Sequence, residues 1–376
     1  MNYQQLKVFC SAHKDEIEGL IGHSIRCQDK GATLLSYHQL IEDQKKTKKV
    51  SPKKSPKKAS PKKPLPKVVP IKQAPTKKAP AKKKVDLEGK GFGYCGIDTV
   101  DNNYRLIKLL GEGGFGSVYQ AEDLKTKEEV AIKITFSDKG ITTAQNEVNV
   151  LTALQGLTGI PQLISSSTEK AKKRQKRLCH VIIFQLLGPS LRQRKNDNSL
   201  PPLSVIAPQM ISRLEAIHNR GWIHRDVKPD NWVFGLGAEK DMIYLIDFGL
   251  ARRYLYGNGD HIDYRTDNSF QGTYVYASAN IEHGITASRR DDLISLGYSL
   301  ASLYVTLPWR EKYVDFKEKS YNQKEAILDE TGKMKRSLAQ LCPSPTLDPA
   351  ICKFIQECYK ISFDEKPNYN KLRKLF

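Results

Sequence analysis

The chain has 376 residues and a formal net charge of +20, enough length for one large domain with extensions or for two medium ones. That charge is local: residues 45–84 hold 17 lysines and no acidic residue, leaving +3 for everything else, which excludes a globular part that is basic throughout. The seven cysteines are odd in number, widely spaced and never C-x-x-C; this argues against a zinc or dithiol redox motif and is met most simply by reduced thiols in an intracellular protein.

Residues 1–44 alternate apolar and charged side chains (Leu6, Val8, Phe9, then Ile17, Leu20, Ile21), the pattern of one or two short amphipathic helices. They carry no apolar signal region, and His13, His23 and His38 with Cys10 and Cys27 match no zinc spacing. A small adaptor or docking piece is expected. Residues 45–99 form a basic linker and lead-in. Within it Ser-Pro-Lys-Lys starts at Ser51, Ser55 and Ser60, and residues 45–84 include eight prolines. Little can be buried there and the charges repel, so a disordered, partly polyproline-like segment is expected. It can serve as a plain linker, as an import signal, or as a polycation binding nucleic acid through counterion release. The repeats resemble histone H1-type tails, which implies contact with DNA and a nucleus or other DNA-containing compartment. Phosphates on the repeat serines would cancel much of the charge.

Tyr104–Leu110 reads as a strand, followed by Leu110-Gly111-Glu112-Gly113-Gly114-Phe115-Gly116-Ser117-Val118. Glycines at 111, 113 and 116 let a hairpin backbone approach phosphates, with Val118 against a base. A lone G-x-G-x-x-G equally suits a dinucleotide fold, but that loop should open a helix. Here it continues as a strand into Val130-Ala131-Ile132-Lys133. A lysine in an apolar strand needs a counterion; Glu147, in a helical pattern 14 residues on, supplies one.

The apolar strand Val181–Phe184 leads to Gln185-Leu186-Leu187-Gly188, and Leu203, Ile206, Met210, Leu214 and Ile217 recur at helical spacing. Next comes Ile223-His224-Arg225-Asp226-Val227-Lys228-Pro229-Asp230-Asn231. Asp226 can accept a hydroxyl proton, Lys228 can sit beside a transferred phosphate, and Asn231 offers an amide oxygen to a metal. That trio at that spacing resembles the catalytic loop of a protein kinase. Asp247-Phe248-Gly249 follows a buried strand, 21 residues after Asp226. Asp247 would take a Mg2+ bridging the ATP phosphates and Asn231 a second ion. Leu293–Trp309 is apolar but interrupted by Ser295, Ser299 and Ser302, and reads as a core helix rather than a membrane span.

From residue 100 to 376 the chain resembles the casein kinase I group of serine/threonine kinases. The marks are Leu186-Leu187-Gly188-Pro189-Ser190-Leu191, Asp247-Phe248-Gly249-Leu250-Ala251-Arg252-Arg253-Tyr254, Ser278-Ala279-Asn280, Ser288-Arg289-Arg290-Asp291-Asp292-Leu293 and Glu365-Lys366-Pro367-Asn368-Tyr369. The resemblance implies an α+β bilobal kinase fold, with a small antiparallel β lobe bearing one main helix (100–187) and a mostly helical large lobe (188–376). It implies ATP and Mg2+ as cofactors, Lys133 on the α- and β-phosphates, Phe184 and the backbone of Leu187 at the adenine, and Asp292 bracing the catalytic loop. Lys228 and Thr273 imply Ser/Thr acceptors in protein substrates; a monomeric kinase domain without membrane contact is expected. Val275 stands where the family carries an arginine for acidic or phosphorylated substrates, so that preference should weaken. Residues 1–99 lie outside the resemblance, a layout suiting a divergent or viral member and, if viral, a virion. The rivals are a kinase-fold scaffold tethered to nucleic acid and a packaging protein of chromatin or virions.

Overall fold

The computed structural model describes residues 99–376 except 101–102, 114–115, 136–137 and 171–177. The expected N-terminal helices, the lysine-rich segment, Gly114 and Phe115 lie outside the described residues.

Strands β1 (Thr99–Val100), β2 (Tyr104–Gly113), β3 (Gly116–Asp123), β4 (Glu129–Thr135), β5 (Leu163–Lys170) and β6 (Leu178–Gln185) form one antiparallel sheet in the order β1-β2-β3-β4-β6-β5. The period-2 alternation of a strand decides which side chain goes where. Val130, Ile132 and Ile134 of β4 join Tyr119, Ala121, Val181 and Ile183 in the small-lobe core. Lys133, one residue out of phase, must therefore project from the opposite face. Helix α1 (Asp138–Leu154) follows β4 and presents Glu147 to it.

The large lobe contains α2 (Leu191–Asn196), α3 (Leu203–Asn219), α4 (Ala279–Glu282), α5 (Arg289–Tyr304), α6 (Tyr321–Ser337), α7 (Pro349–Tyr359) and α8 (Tyr369–Arg373), with short pairs β7 (Trp222–Ile223) to β10 (Arg252–Arg253) and β8 (Trp232–Phe234) to β9 (Ile243–Leu245). Its core gathers Ile206, Met210 and Leu214 of α3, Trp232, Phe234, Leu296, Trp309 and Phe354. Helix α5 is buried nearly all round, and its serines satisfy themselves locally. Ser299 donates to Ser295 O at 2.7 Å and Ser302 to Ser299 O at 2.7 Å. Ser299 also reaches Val227 O at 3.2 Å, beside the catalytic loop. No helix among the described residues is long and apolar enough to cross a membrane.

One expectation is overturned. Cys342 and Cys352 are disulfide-bonded, their Cα atoms 5.8 Å apart. Leu338 ends α6 in the left-handed region (φ 53°), which turns the following loop back onto the first turn of α7 and brings the two cysteines within bonding reach. Cys179 and Cys358 are buried and outside any disulfide.

Helices α5 and α7 meet at Gly297, where an added Cβ would lie 2.3 Å from Ile355 Cγ1. Overpacking costs about 1–3 kcal/mol and outweighs the gain in helix propensity of about 1 kcal/mol. Gly297→Ala should thus lower the melting temperature by about 2–6 °C, read in a thermal melt of the full chain.

Candidate active site

Three segments converge from strand ends and loops. Lys133 Nζ donates to Glu147 Oε2 at 2.7 Å and to Asp247 Oδ1 at 2.9 Å. Burial alone would depress this ammonium, but Glu147 and then Asp247 outweigh it and hold it above the usual lysine range. Burial also opposes charge on Asp247, yet Lys133 brings that carboxylate below its ordinary value. The carboxyl of Glu147, fully buried, is pushed up by burial against the pull of Lys133.

Asp247 sits in the left-handed region (φ 64°) at the start of the short helical turn Phe248–Leu250. Buried Phe248 packs edge-on to His224, ring centroids 5.2 Å apart, and His224 Nε2 donates to Ile246 O at 3.0 Å. The chain before Asp247 is thereby fastened to the catalytic loop. Asn146 of α1 adds a tie the sequence did not announce, donating Nδ2 to Gly249 O and Ala251 O, both at 3.0 Å.

Asp226 carries two partners. Lys228 Nζ donates to Oδ2 at 2.5 Å and Thr273 Oγ1 donates to Oδ1 at 2.7 Å. Gly272 permits the second contact: its φ is +107° and a Cβ there would lie 2.6 Å from Arg225 O, an approach closed to residues with side chains. Asn231 spends Nδ2 on Asp226 O at 2.9 Å, which leaves Oδ1 as its acceptor. The Asn231 amide oxygen and the Asp247 carboxylate are an all-oxygen donor set that suits a hard divalent cation.

Beneath the loop lies Asp292 of α5. Its carboxylate accepts the backbone N–H of His224 at 2.7 Å, that of Arg225 at 2.8 Å, and His218 Nε2 at 3.0 Å. Burial lowers the His218 pKa, so the neutral ring gives Nε2–H to Asp292 and takes the Tyr369 hydroxyl at Nδ1, 2.7 Å away.

The glycine loop ends at Gly116, whose φ of +136° and close approach to Ile134 O (2.4 Å from an added Cβ) require glycine. At Gly111 and Gly113 an added Cβ would meet nothing within 4 Å. Leu110 and Glu112 are exposed along the loop, while Ser117 is buried and Val118 half-buried. Leu187 is half-buried in the connection between lobes, just before Gly188 N bonds to Phe234 O at 2.7 Å.

The family model for the protein kinase domain matches residues 104–374. The chain belongs to this family. The kinase fold accounts for the meeting of Lys133, Glu147 and Asp247 and for the loop of Asp226 and Asn231 bonded to the strand end at Ile246, and its activity is phosphotransfer of the protein-kinase kind. Sequence reasoning missed three parts of this kinase: Asn146, the Thr273–Asp226 contact as geometry, and a buried Lys335–Glu282 pair (both side chains 0% exposed) under the segment after Thr273. Only the second left a trace, Thr273 itself, which the resemblance had tied to Ser/Thr acceptors.

Asp292→Asn should be more damaging than its size suggests. Either amide orientation sets an N–H2 against a buried N–H, and an unsatisfied buried donor costs about 1–3 kcal/mol. A melting temperature lower by several degrees and a fall in kcat larger than any rise in the nucleotide KM are expected, read by melts and steady-state kinetics.

Proposed function

We propose that the chain is an ATP- and Mg2+-dependent serine/threonine kinase of the casein kinase I type, directed to nucleic acid or another anionic partner by its lysine-rich segment. The observation that carries the catalytic half is Asp226, buried and already hydrogen-bonded to one aliphatic hydroxyl, Thr273, with Lys228 at its side. A substrate serine or threonine would bring the same group to the same carboxylate.

Asp226 orients the acceptor hydroxyl and takes its proton as that oxygen bonds to the γ-phosphorus and the bond to the β–γ bridging oxygen breaks, releasing ADP. Lys228 neutralises charge on the transferred group, while Lys133, held by Glu147, does so for the remaining phosphates. The loop from Leu110 to Val118 covers the phosphates, and the Leu187 backbone meets the base. Mg2+ held by Asp247 and Asn231 would supply further neutralisation of the phosphate charge. Val275 removes a cation from the acceptor side, so acidic or phosphorylated sites gain little. The segment 45–84 would hold the enzyme in a nucleus or other DNA-containing compartment, or in a virion.

Two experiments test this reading. On a peptide library the wild type should phosphorylate Ser and Thr but not Tyr, with weak acidic bias, and Asp226→Asn should reduce kcat by about a thousandfold or more. Exclusive tyrosine phosphorylation, or activity untouched in Asp226→Asn, would refute it. Duplex DNA binding should fall steeply with salt and drop at least tenfold on deletion of 45–84; unchanged binding would remove the nucleic-acid half.

A further inference from the structure

The segment 273–277 beside Asp226 has no strand or helix of its own, so its buried carbonyls need donors from elsewhere. Lys335 of α6 supplies two of them, with Nζ donating to Tyr274 O at 2.7 Å and to Ala277 O at 2.9 Å. Its third hydrogen goes to Glu282 Oε1. The three donors of an ammonium thus meet three acceptors, and the rings of Tyr313, Trp309 and Tyr298 surround it at 5.1, 5.6 and 5.9 Å. Trp309 Nε1 donates to a further carbonyl of the segment, Val275 O, at 2.8 Å. Tyr313 donates to Glu282 Oε1, and Thr331 reaches Oε2 at 3.4 Å.

A buried ion pair is a weak device for stability, because well-packed apolar residues often serve as well. What this pair supplies is position. Resting on the serine/threonine reading above, we infer that Lys335 is a positioning residue for the protein substrate: from behind the segment it fixes the backbone of 274–277, and with it the place where the acceptor peptide lies beside Thr273 and Asp226. It touches neither substrate nor nucleotide.

The charge of Lys335 adds a second readout. Burial, opposed by Glu282, lowers its pKa to about 8. The groups facing it are Glu282 on α4, pushed up by burial, and the phenols of Tyr274, Tyr298 and Tyr313, all raised by burial. His283 lies next to Glu282 in sequence and faces Asp329 at 3.4 Å. Above pH 8 Lys335 becomes an amine with two donors for three acceptors, and the segment loosens. Linkage gives stability the opposite sign. Because the unfolded lysine keeps its proton up to about 10.5, this group's contribution to stability rises from pH 8 upward. A structural role alone therefore predicts no loss on the alkaline side.

The test uses the full chain with a Ser/Thr peptide, comparing wild type with Lys335→Met/Glu282→Gln, which removes both charges and keeps an amide oxygen for Tyr313 and Thr331. The expected result is a melting temperature lowered by several degrees, because Tyr274 O and Ala277 O lose their donor, with an ATP KM within twofold and a peptide KM raised about tenfold, the equivalent of one charge-assisted hydrogen bond. In the wild type, peptide KM should climb above pH 8 without a fall in melting temperature, and the double variant should lack that limb. A peptide KM unchanged in the variant, an equal rise in the ATP KM, or a flat wild-type profile to pH 9 overturns the inference. If the double variant does not fold, the wild-type profile alone decides. Wild type inactive on every Ser/Thr peptide would overturn the reading beneath it as well, whereas an active wild type with an unmoved variant would remove Lys335 alone.

Discussion

The carboxylate of Asp292 is the interaction on which the catalytic loop depends. Arg225 is held in the left-handed region, φ 70°, a conformation that costs a side-chain-bearing residue about 1–2 kcal/mol. It persists because Asp292, at the start of a helix buried nearly all round, accepts the N–H groups of His224 and Arg225, the two that lead into the kink. Burial works against the charge of this carboxylate, yet the bonds from His218 and His224 bring it below the ordinary range. The charge is therefore retained at neutral pH, and the loop bends around a fixed point in the large-lobe core. Asp226, one residue beyond the bend, inherits its direction from that point.

A second constraint joins the lobes. Lys133 belongs to the sheet, Glu147 to the helix beside it, and Asp247 to the large lobe, and one ammonium bonds both carboxylates. Two negative groups that would repel each other are held within reach of one cation. Removing the cation would leave two neighbouring like charges, one buried and one half-buried, a situation that shifts protonation rather than persisting. Lys133 thus sets both the approach of helix to sheet and the direction of the carboxylate expected to hold metal.

Much of this was legible in the sequence, and the reason is covalent spacing. Asp226, Lys228 and Asn231 lie within six residues of one another, so one loop conformation fixes all three. Lys133 was legible because an ammonium in an apolar strand demands a partner, and Glu147 falls on the next helix. The apolar periodicity of α3 and the interrupted run of α5 likewise declared themselves. What stayed hidden depends on distant segments meeting. Lys335 sits in the polar run Lys333-Met334-Lys335-Arg336, where nothing separates it from its neighbours, and its partners are 53 to 61 residues away. The joining of Cys342 to Cys352 turns on a single left-handed residue, Leu338, which no local pattern marks. Asn146 reads as an ordinary polar helix position until the turn after Asp247 is laid against it.

That asparagine has a mechanical corollary. Its amide bridges α1 to the carbonyls of Gly249 and Ala251, on the far side of buried Phe248 from the aspartate. Swinging the helix outward and turning the phenylalanine out of its slot are then a single coupled displacement instead of two independent ones.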